Sequence, residues 1–279
     1  MAARGPGLII TADDFGLHVS VNLAVERAFR EGVLTTASLM VGAPAAADAI
    51  ARAKANPSLR VGLHLVLADG RATLPPRAIP DLVDADGNFG TRMVREGFRF
   101  FLLPAVRRQL AAEIGAQFEA FAASGLALDH VNAHRHFHLH PTILSMLIDI
   151  GRPFGLRAIR LPREAHTPAW LAPWLALLAR RLAAAGIAHN DYTLGIRQSG
   201  RFDEHALLAA LSHLPAHGIG EIYLHPATQS GSAVSRTAPG YRHADELAAL
   251  TSPRVLRVHH MLRQHGFRFG GFADLAHAP

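Results

Sequence analysis

The sequence predicts an α/β fold, a single-domain (β/α) barrel of seven or eight parallel strands that is distorted in places. Three observations predict it. Short β-like runs alternate with stretches of helical periodicity along the whole chain, as βα units around a parallel sheet require. A chain of 279 residues with 49% hydrophobic content can bury one large core. The acidic and imidazole side chains that could carry chemistry follow strand-like segments, and in a parallel barrel those ends converge on one face.

Leu8 to Thr11 reads as the first strand. A helix over Val21 to Arg30 follows, with Ser20 as its expected N-cap and Gly32 just beyond its end. Thr36 to Val41 and Arg60 to Leu65 are strands flanking a helix over Ala45 to Ala55. From residue 66 to about 103 the pattern fails: Pro75-Pro76, Pro80, Asp86-Gly87-Asn88 and scattered glycines mark a long loop inserted on the active face. Val106, Leu110, Ile114, Phe118 and Phe121 then share one face of a helix over Pro104 to Ser124. Leu128 to Asn132 is a strand, Pro141 to Phe154 a helix with proline in its first turn, and Ala158 to Leu161 a strand. A helix over Trp170 to Ala185 and a weak strand near Asp191 to Ile196 come next. Asp203 to Leu214 is helical and Glu221 to His225 is a strand ending in His-Pro. Two helices after Arg242 and a short Phe267–Phe269 strand complete the order, with no internal repeat and no linker, so residues 1–279 read as one domain.

Composition excludes several function classes. Without cysteine there are no disulfides and no thiolate ligands. The formal charge is +6, yet Lys54 is the only lysine among 28 basic residues and the arginines are scattered, which argues against nucleic acid as a partner. Leu8-Ile9-Ile10 is too short for a signal-peptide core, and the apolar Trp170–Ala179 stretch is broken by Pro173 and stopped by Arg180-Arg181. The expectation is a cytoplasmic protein, with peripheral contact at the inner membrane face left open. A homodimer is a fair expectation only because such dimers are common.

The chemical candidates are Asp13 and Asp14 after the first strand, His64 ending the Arg60–Leu65 strand, His134 after the Leu128–Asn132 strand, and His225. A carboxylate and two imidazoles can hold a divalent ion and leave positions open for water and substrate. Such an ion acidifies water and polarises a carbonyl, while a neighbouring carboxylate takes the proton. Adjacent residues on a strand point to opposite sides, so Asp13 and Asp14 need a kinked backbone to serve one site, and Gly16 could permit it. His136 and His138 alternate with His134, which makes either a supporting partner or a substrate contact. His140 beside Pro141 reads as a helix-start residue.

The motifs Ala12-Asp-Asp-Phe-Gly16, Gly62-Leu-His64 and His134-x-His-x-His138 closely resemble those of the YdjC-like carbohydrate deacetylases, which include chitooligosaccharide deacetylases. The resemblance runs from the first strand through Tyr223-Leu-His-Pro226. It implies a barrel-like deacetylase fold and a divalent metal, magnesium as often as zinc, held by Asp14, His64 and His134. It further implies Asp13 as catalytic base, His225 as the acid that protonates the leaving amine, and Arg160 as a group orienting Asp13 or the acyl oxygen. Ligand softness by itself favours zinc, cobalt or nickel. Chitooligosaccharide members tend to carry Asp-Ser-His-His-His where this chain has Asn132-Ala-His-Arg-His. With the Phe98–Pro104 segment, that departure is more similar to the branch associated with hopanoid biosynthesis, which implies an N-acetylglucosaminyl hopanoid lipid as substrate.

Phe98, Phe100, Phe101, Leu102 and Leu103, flanked by Arg95, Arg99, Arg107 and Arg108, lie in the long loop. Trp170, Leu171, Trp174 and Leu175 follow the Ala158–Leu161 strand. Both groups are candidates for contact with a glycolipid or an anionic membrane, against the plain alternative of core packing. Three functions remain open: a glycolipid N-deacetylase, a deacetylase of soluble chitooligosaccharides, and a non-catalytic carbohydrate- or lipid-binding protein. Two histidines and a carboxylate also form the facial triad of iron oxygenases, but Asp13 has no evident role there.

Overall fold

All nine residues of strand β1 (Gly7–Phe15) are buried, because parallel strands covered by helices on one face and barrel interior on the other meet no water. The computed structural model describes residues 5–164, 167–229, 234 and 238–276. Helix α1 (Val19–Glu31) leads to β2 (Thr36–Leu39), and α2 (Ala46–Ala55) to β3 (Arg60–Leu65). Helices α3 (Met93–Leu102) and α4 (Pro104–Ala123) precede β4 (Leu128–Ala133), a 3₁₀ turn at His134–Leu139 and α5 (Pro141–Gly151). Helix α6 (Ala172–Ala184), β5 (Tyr192–Leu194), α7 (Glu204–Ser212) and β6 (Ile219–Leu224) follow. The chain then forms α8 (His243–Leu250), α9 (Pro253–Gln264), β7 (Arg268–Phe269) and α10 (Phe272–Leu275).

The strand order is β4-β3-β2-β1-β6-β5, with β7 added on β1, and every pair is parallel. The two ends of this order are linked through residues 158–160. Val131 bridges Ile159 and Ala158 bridges Ala188, with Arg160 N donating to the Val131 carbonyl at 3.0 Å and Ile159 N to that of Ala188 at 3.0 Å. The sheet therefore curls into the distorted parallel barrel that the sequence predicts. The expected Ala158–Leu161 strand is reduced to those isolated bridges. Pro162, which has no N–H to give a ladder, lies directly after it.

The element boundaries shift modestly. Helix α1 starts two residues early because His18, rather than Ser20, is the N-cap, its ring nitrogen accepting from Ser20 N at 3.1 Å. The segment expected to stay irregular through residue 103 contains α3. Its apolar stripe is present in the sequence, but Arg92 supplies no side-chain cap and Gly97 interrupts the run, so the helix signal is weak. The remainder of the insertion is tied down by polar side chains of α4. Glu113 accepts from Thr73 N and Leu74 N at 2.8 and 2.9 Å, and Gln117 braces both the N–H and the carbonyl of Val66. Buried loop backbone is thereby satisfied where no strand is available to do it.

Close approach of β3 to β4 requires glycine at position 62. A Cβ there would run into the His130 ring and lie 2.6 Å from the His130 carbonyl oxygen. Gly62→Ala is expected to lower stability by about 1–3 kcal/mol through overpacking. Urea denaturation would show it as a lower midpoint with an unchanged slope, and an unaltered midpoint would mean that β3 and β4 separate freely.

Candidate active site

The site is assembled at the carboxyl ends of β1, β3, β4 and β6, the face of a parallel barrel where side chains from different strands meet. At the end of β1 the pairing with β2 slips by one residue between Ala12 and Phe15, and Asp14 adopts φ 62°. That bulge turns two adjacent carboxylates toward one cavity. The kink lies at Asp14 itself, with Gly16 (φ 98°) completing the turn. A left-handed aspartate is a strained conformation held by its surroundings, of a kind that clusters at functional sites. Beyond β4 the backbone is left-handed again at Arg135 (φ 57°) and His136 (φ 55°). The extended alternation expected for His134, His136 and His138 is therefore replaced by a tight turn.

Three donor atoms converge on one point. Asp14 Oδ1 lies 3.2 Å from His64 Nε2 and 3.2 Å from His134 Nδ1, and the two nitrogens are 3.4 Å apart. Ligands about 2.0–2.2 Å from a common ion in tetrahedral or octahedral geometry are separated by roughly 3.0–3.5 Å, so the triangle fits a divalent metal without rearrangement. The residues present thus suit the group that the donor chemistry implies. His64 Nδ1 donates to Asn132 Oδ1 at 2.7 Å, which leaves Nε2 as the ligand nitrogen. On His134 the far nitrogen is 4.0 Å from Asp69, a carboxylate that also pairs with Arg135 at 2.6 Å.

Asp13 is held separately. Arg160 donates Nη1 to Oδ2 at 2.5 Å and Nη2 to Oδ1 at 3.0 Å, and Asn132 donates to Oδ1 at 3.0 Å. Arg160 is fully buried and also donates to Glu221, at 2.8 Å from both Nε and Nη2. It therefore orients Asp13 from below and does not line the cavity. Burial by itself raises the Asp13 carboxyl, but the charge and hydrogen bonds of Arg160, together with His64 and His225, outweigh it and hold the group far below the usual carboxylate range. Asp14 is likewise lowered, burial being overcome by His134 and His64. His64 is raised, because the charges of Asp13 and Asp14 outweigh the burial that opposes protonation.

His225 follows β6 and lines the same 270 Å³ cavity as Asp13, Asp14, His64, His134 and His136. Burial pushes its imidazole down to about 4, against the opposing pull of Asp14 and Asp13. Its Nδ1 has no partner among the described residues, and Glu246 anchors its backbone N–H at 2.5 Å. His136 also lines the cavity, 3.2 Å from the Tyr223 hydroxyl. His138 does not: it is buried with Nε2 donating to the Arg160 carbonyl at 2.9 Å, and burial pushes it down to about 3. His140 is the N-cap residue of α5, as expected.

The aromatic candidates fall outside this cavity. Phe100 is 1% exposed and packs on Phe137 and His140, so it is core rather than substrate contact. The reason is helical: α3 buries the face bearing Glu96 and Phe100 and turns Phe98 and Phe101 outward. Trp174 is half-buried and donates to the Leu139 carbonyl at 3.2 Å, while Trp170 is exposed.

Asn132, Glu221 and Tyr223 belong to the site although sequence reasoning gave them no role. One signal could have found Glu221: an acid inside an otherwise apolar parallel strand needs a buried partner. Asn132 bridges Asp13 and His64 and is itself braced by donating to Ser38 Oγ at 2.9 Å, a contact between β2 and β4, the two neighbours of β3, that no motif displays.

Asp13 and Asp14 favour the protonated form of His64, and that proton competes with a metal for Nε2. Metal binding at neutral pH is therefore expected to release protons and to weaken as pH falls through the raised His64 value. Titration calorimetry in buffers of different ionisation enthalpy measures this, and buffer-independent heat would contradict it.

Residues 7–260 match the family model described as YdjC-like protein. A carbohydrate deacetylase of Brevibacillus brevis is 30% identical over 259 residues, covering 91% of this chain and 94% of that protein. A chitooligosaccharide deacetylase of Yersinia pseudotuberculosis is 30% identical over 271 residues, covering 96% and 98%. Among solved structures, a putative cellobiose-phosphate cleavage protein of Enterococcus faecalis superposes with TM-score 0.79 at 24% identity, covering 98% of this chain and all of that one. With the motif residues gathered on one barrel face and the match spanning nearly the whole sequence, this chain belongs to the YdjC-like family.

Proposed function

We propose that the protein is a metal-dependent hydrolase that removes the N-acetyl group from an N-acetylglucosamine-bearing substrate. The observation that carries this reading is the triangle of Asp14, His64 and His134 beside a second carboxylate, Asp13, held by Arg160. The names of the relatives, deacetylases of carbohydrates and chitooligosaccharides, agree with it. A divalent ion, magnesium or zinc, would acidify water and polarise the amide carbonyl there.

The chain's own residues do the remainder. Asp13, kept ionised by Arg160, accepts the proton that water loses as its oxygen bonds to the carbonyl carbon. A carboxylate so strongly held is a weak base, which is why its work depends on water that is already acidified. The C–N bond then breaks, and His225 delivers a proton to the departing nitrogen, leaving acetate and a free amine. His225 is neutral at rest, so the proton it delivers arrives during turnover, the one taken from water being the available source. Tyr223 and His136, on the cavity wall, orient the sugar. Asp13→Asn is expected to retain metal and to lose turnover by about 10²–10⁴-fold. Asp14→Ala or His64→Ala is expected to lose metal binding itself. Wild-type acetate release by Asp13→Asn would refute the base assignment.

For the substrate we favour a glycolipid, an N-acetylglucosaminyl hopanoid, over soluble chitooligosaccharides. The supporting feature is an apolar groove of 450 Å³ lined by Val94, Phe98, Phe101, Phe137 and Pro141, which shares Met93 with the catalytic cavity. Gly97 lies on this groove, and a Cβ there would make only ordinary contact with His140. Gly97→Leu is therefore expected to obstruct the groove, reducing free amine formed from the glycolipid while sparing diacetylchitobiose. Wild-type protein active on diacetylchitobiose alone would sink the glycolipid reading and leave the deacetylase one standing.

A further inference from the structure

Helix α3 is amphipathic in the wrong sense for a helix packed on a core. Val94, Phe98, Phe101 and Leu102 recur at i, i+4, i+7 and i+8, the spacing of a buried stripe. Yet they are 77%, 65%, 57% and 63% exposed, and Leu103 extends the apolar surface. The opposite face carries the residues that anchor the helix: Phe100 is buried, and Glu96, itself largely buried, pairs with Arg99 at 2.7 Å. The stripe is thus displayed by a helix fixed in place from behind.

Basic groups frame it. Arg92 and Arg95 lie on α3 or at its start, and Arg107 and Arg108 on the first turn of α4; all four are exposed. Among the described residues no carboxylate pairs with Arg92, Arg107 or Arg108, and Arg95 has only the Glu96 contact at 3.4 Å. A protein partner with an apolar anchor would not require this concentration of unpaired guanidinium. A bilayer with anionic headgroups supplies both halves at once, an apolar layer for phenylalanine and leucine and negative charge at the depth of the arginines. No helix among the described residues is long and apolar enough to cross a membrane, so the contact would be interfacial.

We infer that the outward face of α3 with the start of α4 is a docking surface for an anionic lipid bilayer. The geometry gives the contact a consequence. The helix that meets the bilayer also walls the apolar groove that adjoins the Asp13–His225 cavity at Met93, so docking brings the groove to the membrane surface. The inference stands on exposure and charge and does not need the deacetylase reading.

The test is co-sedimentation of the full chain with vesicles of phosphatidylcholine alone or with about one-third phosphatidylglycerol. Wild-type protein is expected to pellet with the anionic vesicles and to be released in part at about 1 M salt, where screening is effective within about 3 Å. Phe98→Ser with Phe101→Ser, and separately Arg107→Glu with Arg108→Glu, are each expected to weaken binding by about tenfold or more. Unchanged thermal melting would show that both variants fold. Failure of the wild type to pellet, or equal pelleting of wild type and both variants, would overturn the inference. So would sedimentation equilibrium showing a dimer that Phe98→Ser with Phe101→Ser dissociates, without vesicle binding, since the face would then belong to a second copy.

Discussion

The buried guanidinium of Arg160 organises the barrel interior. Arg160 sits on the short segment that joins β4 to the approach of β5, and it reaches Asp13 on β1 and Glu221 on β6. An arginine with no exposure is tolerable only if its fork of donors is matched, and here Nε and both Nη nitrogens meet carboxylate oxygens. Thr11 donates to Glu221 and Asn132 to Asp13, so the excess negative charge is distributed among further donors. Removing one member of such a cluster would leave an uncompensated buried charge, a loss of about 3–5 kcal/mol. The cluster thus secures the weakest seam of the sheet and aims the proposed base, Asp13, with the same bonds.

The triangle of Asp14, His64 and His134 depends on that arrangement through Asn132. Its amide has one oxygen and one nitrogen, and both are committed: the oxygen accepts from His64, the nitrogen donates to Asp13 and Ser38. The imidazole and the proposed base are therefore coupled through a rigid planar group. Ser38 is in turn 3.0 Å from His130, which pairs with Asp129 at 2.9 Å, so a buried polar chain alternating between β4 and β2 backs the site. Networks of this kind are stabilising when every member is satisfied, and they restrict the side chains to one arrangement.

Much of this was legible in the linear sequence because its cause is local. The strand over residues 60–65, the helix starts at Pro104 and Pro141, and the C-terminal Gly32 all follow from periodicity and capping chemistry. The convergence of Asp14, His64 and His134 was also readable, since strand ends of a parallel barrel share a face. Helix α3 was missed because it lacks a capping side chain and because its apolar stripe faces water, which removes the usual agreement between periodicity and burial.

What the sequence determined by itself was the βα alternation and the placing of its acidic and imidazole candidates at strand ends, because these depend on residue type and on spacing within each element. Tertiary structure alone decided the rest. It placed the kink on Asp14 instead of Gly16, turned His138 toward the Arg160 carbonyl and His136 into the cavity, and buried Phe100 while exposing Phe98 and Phe101. It also made partners of Arg160, Glu221 and Asn132. These outcomes arise from contacts between residues as much as 147 positions apart, and their geometry exists only once the sheet has curled and its seam has closed.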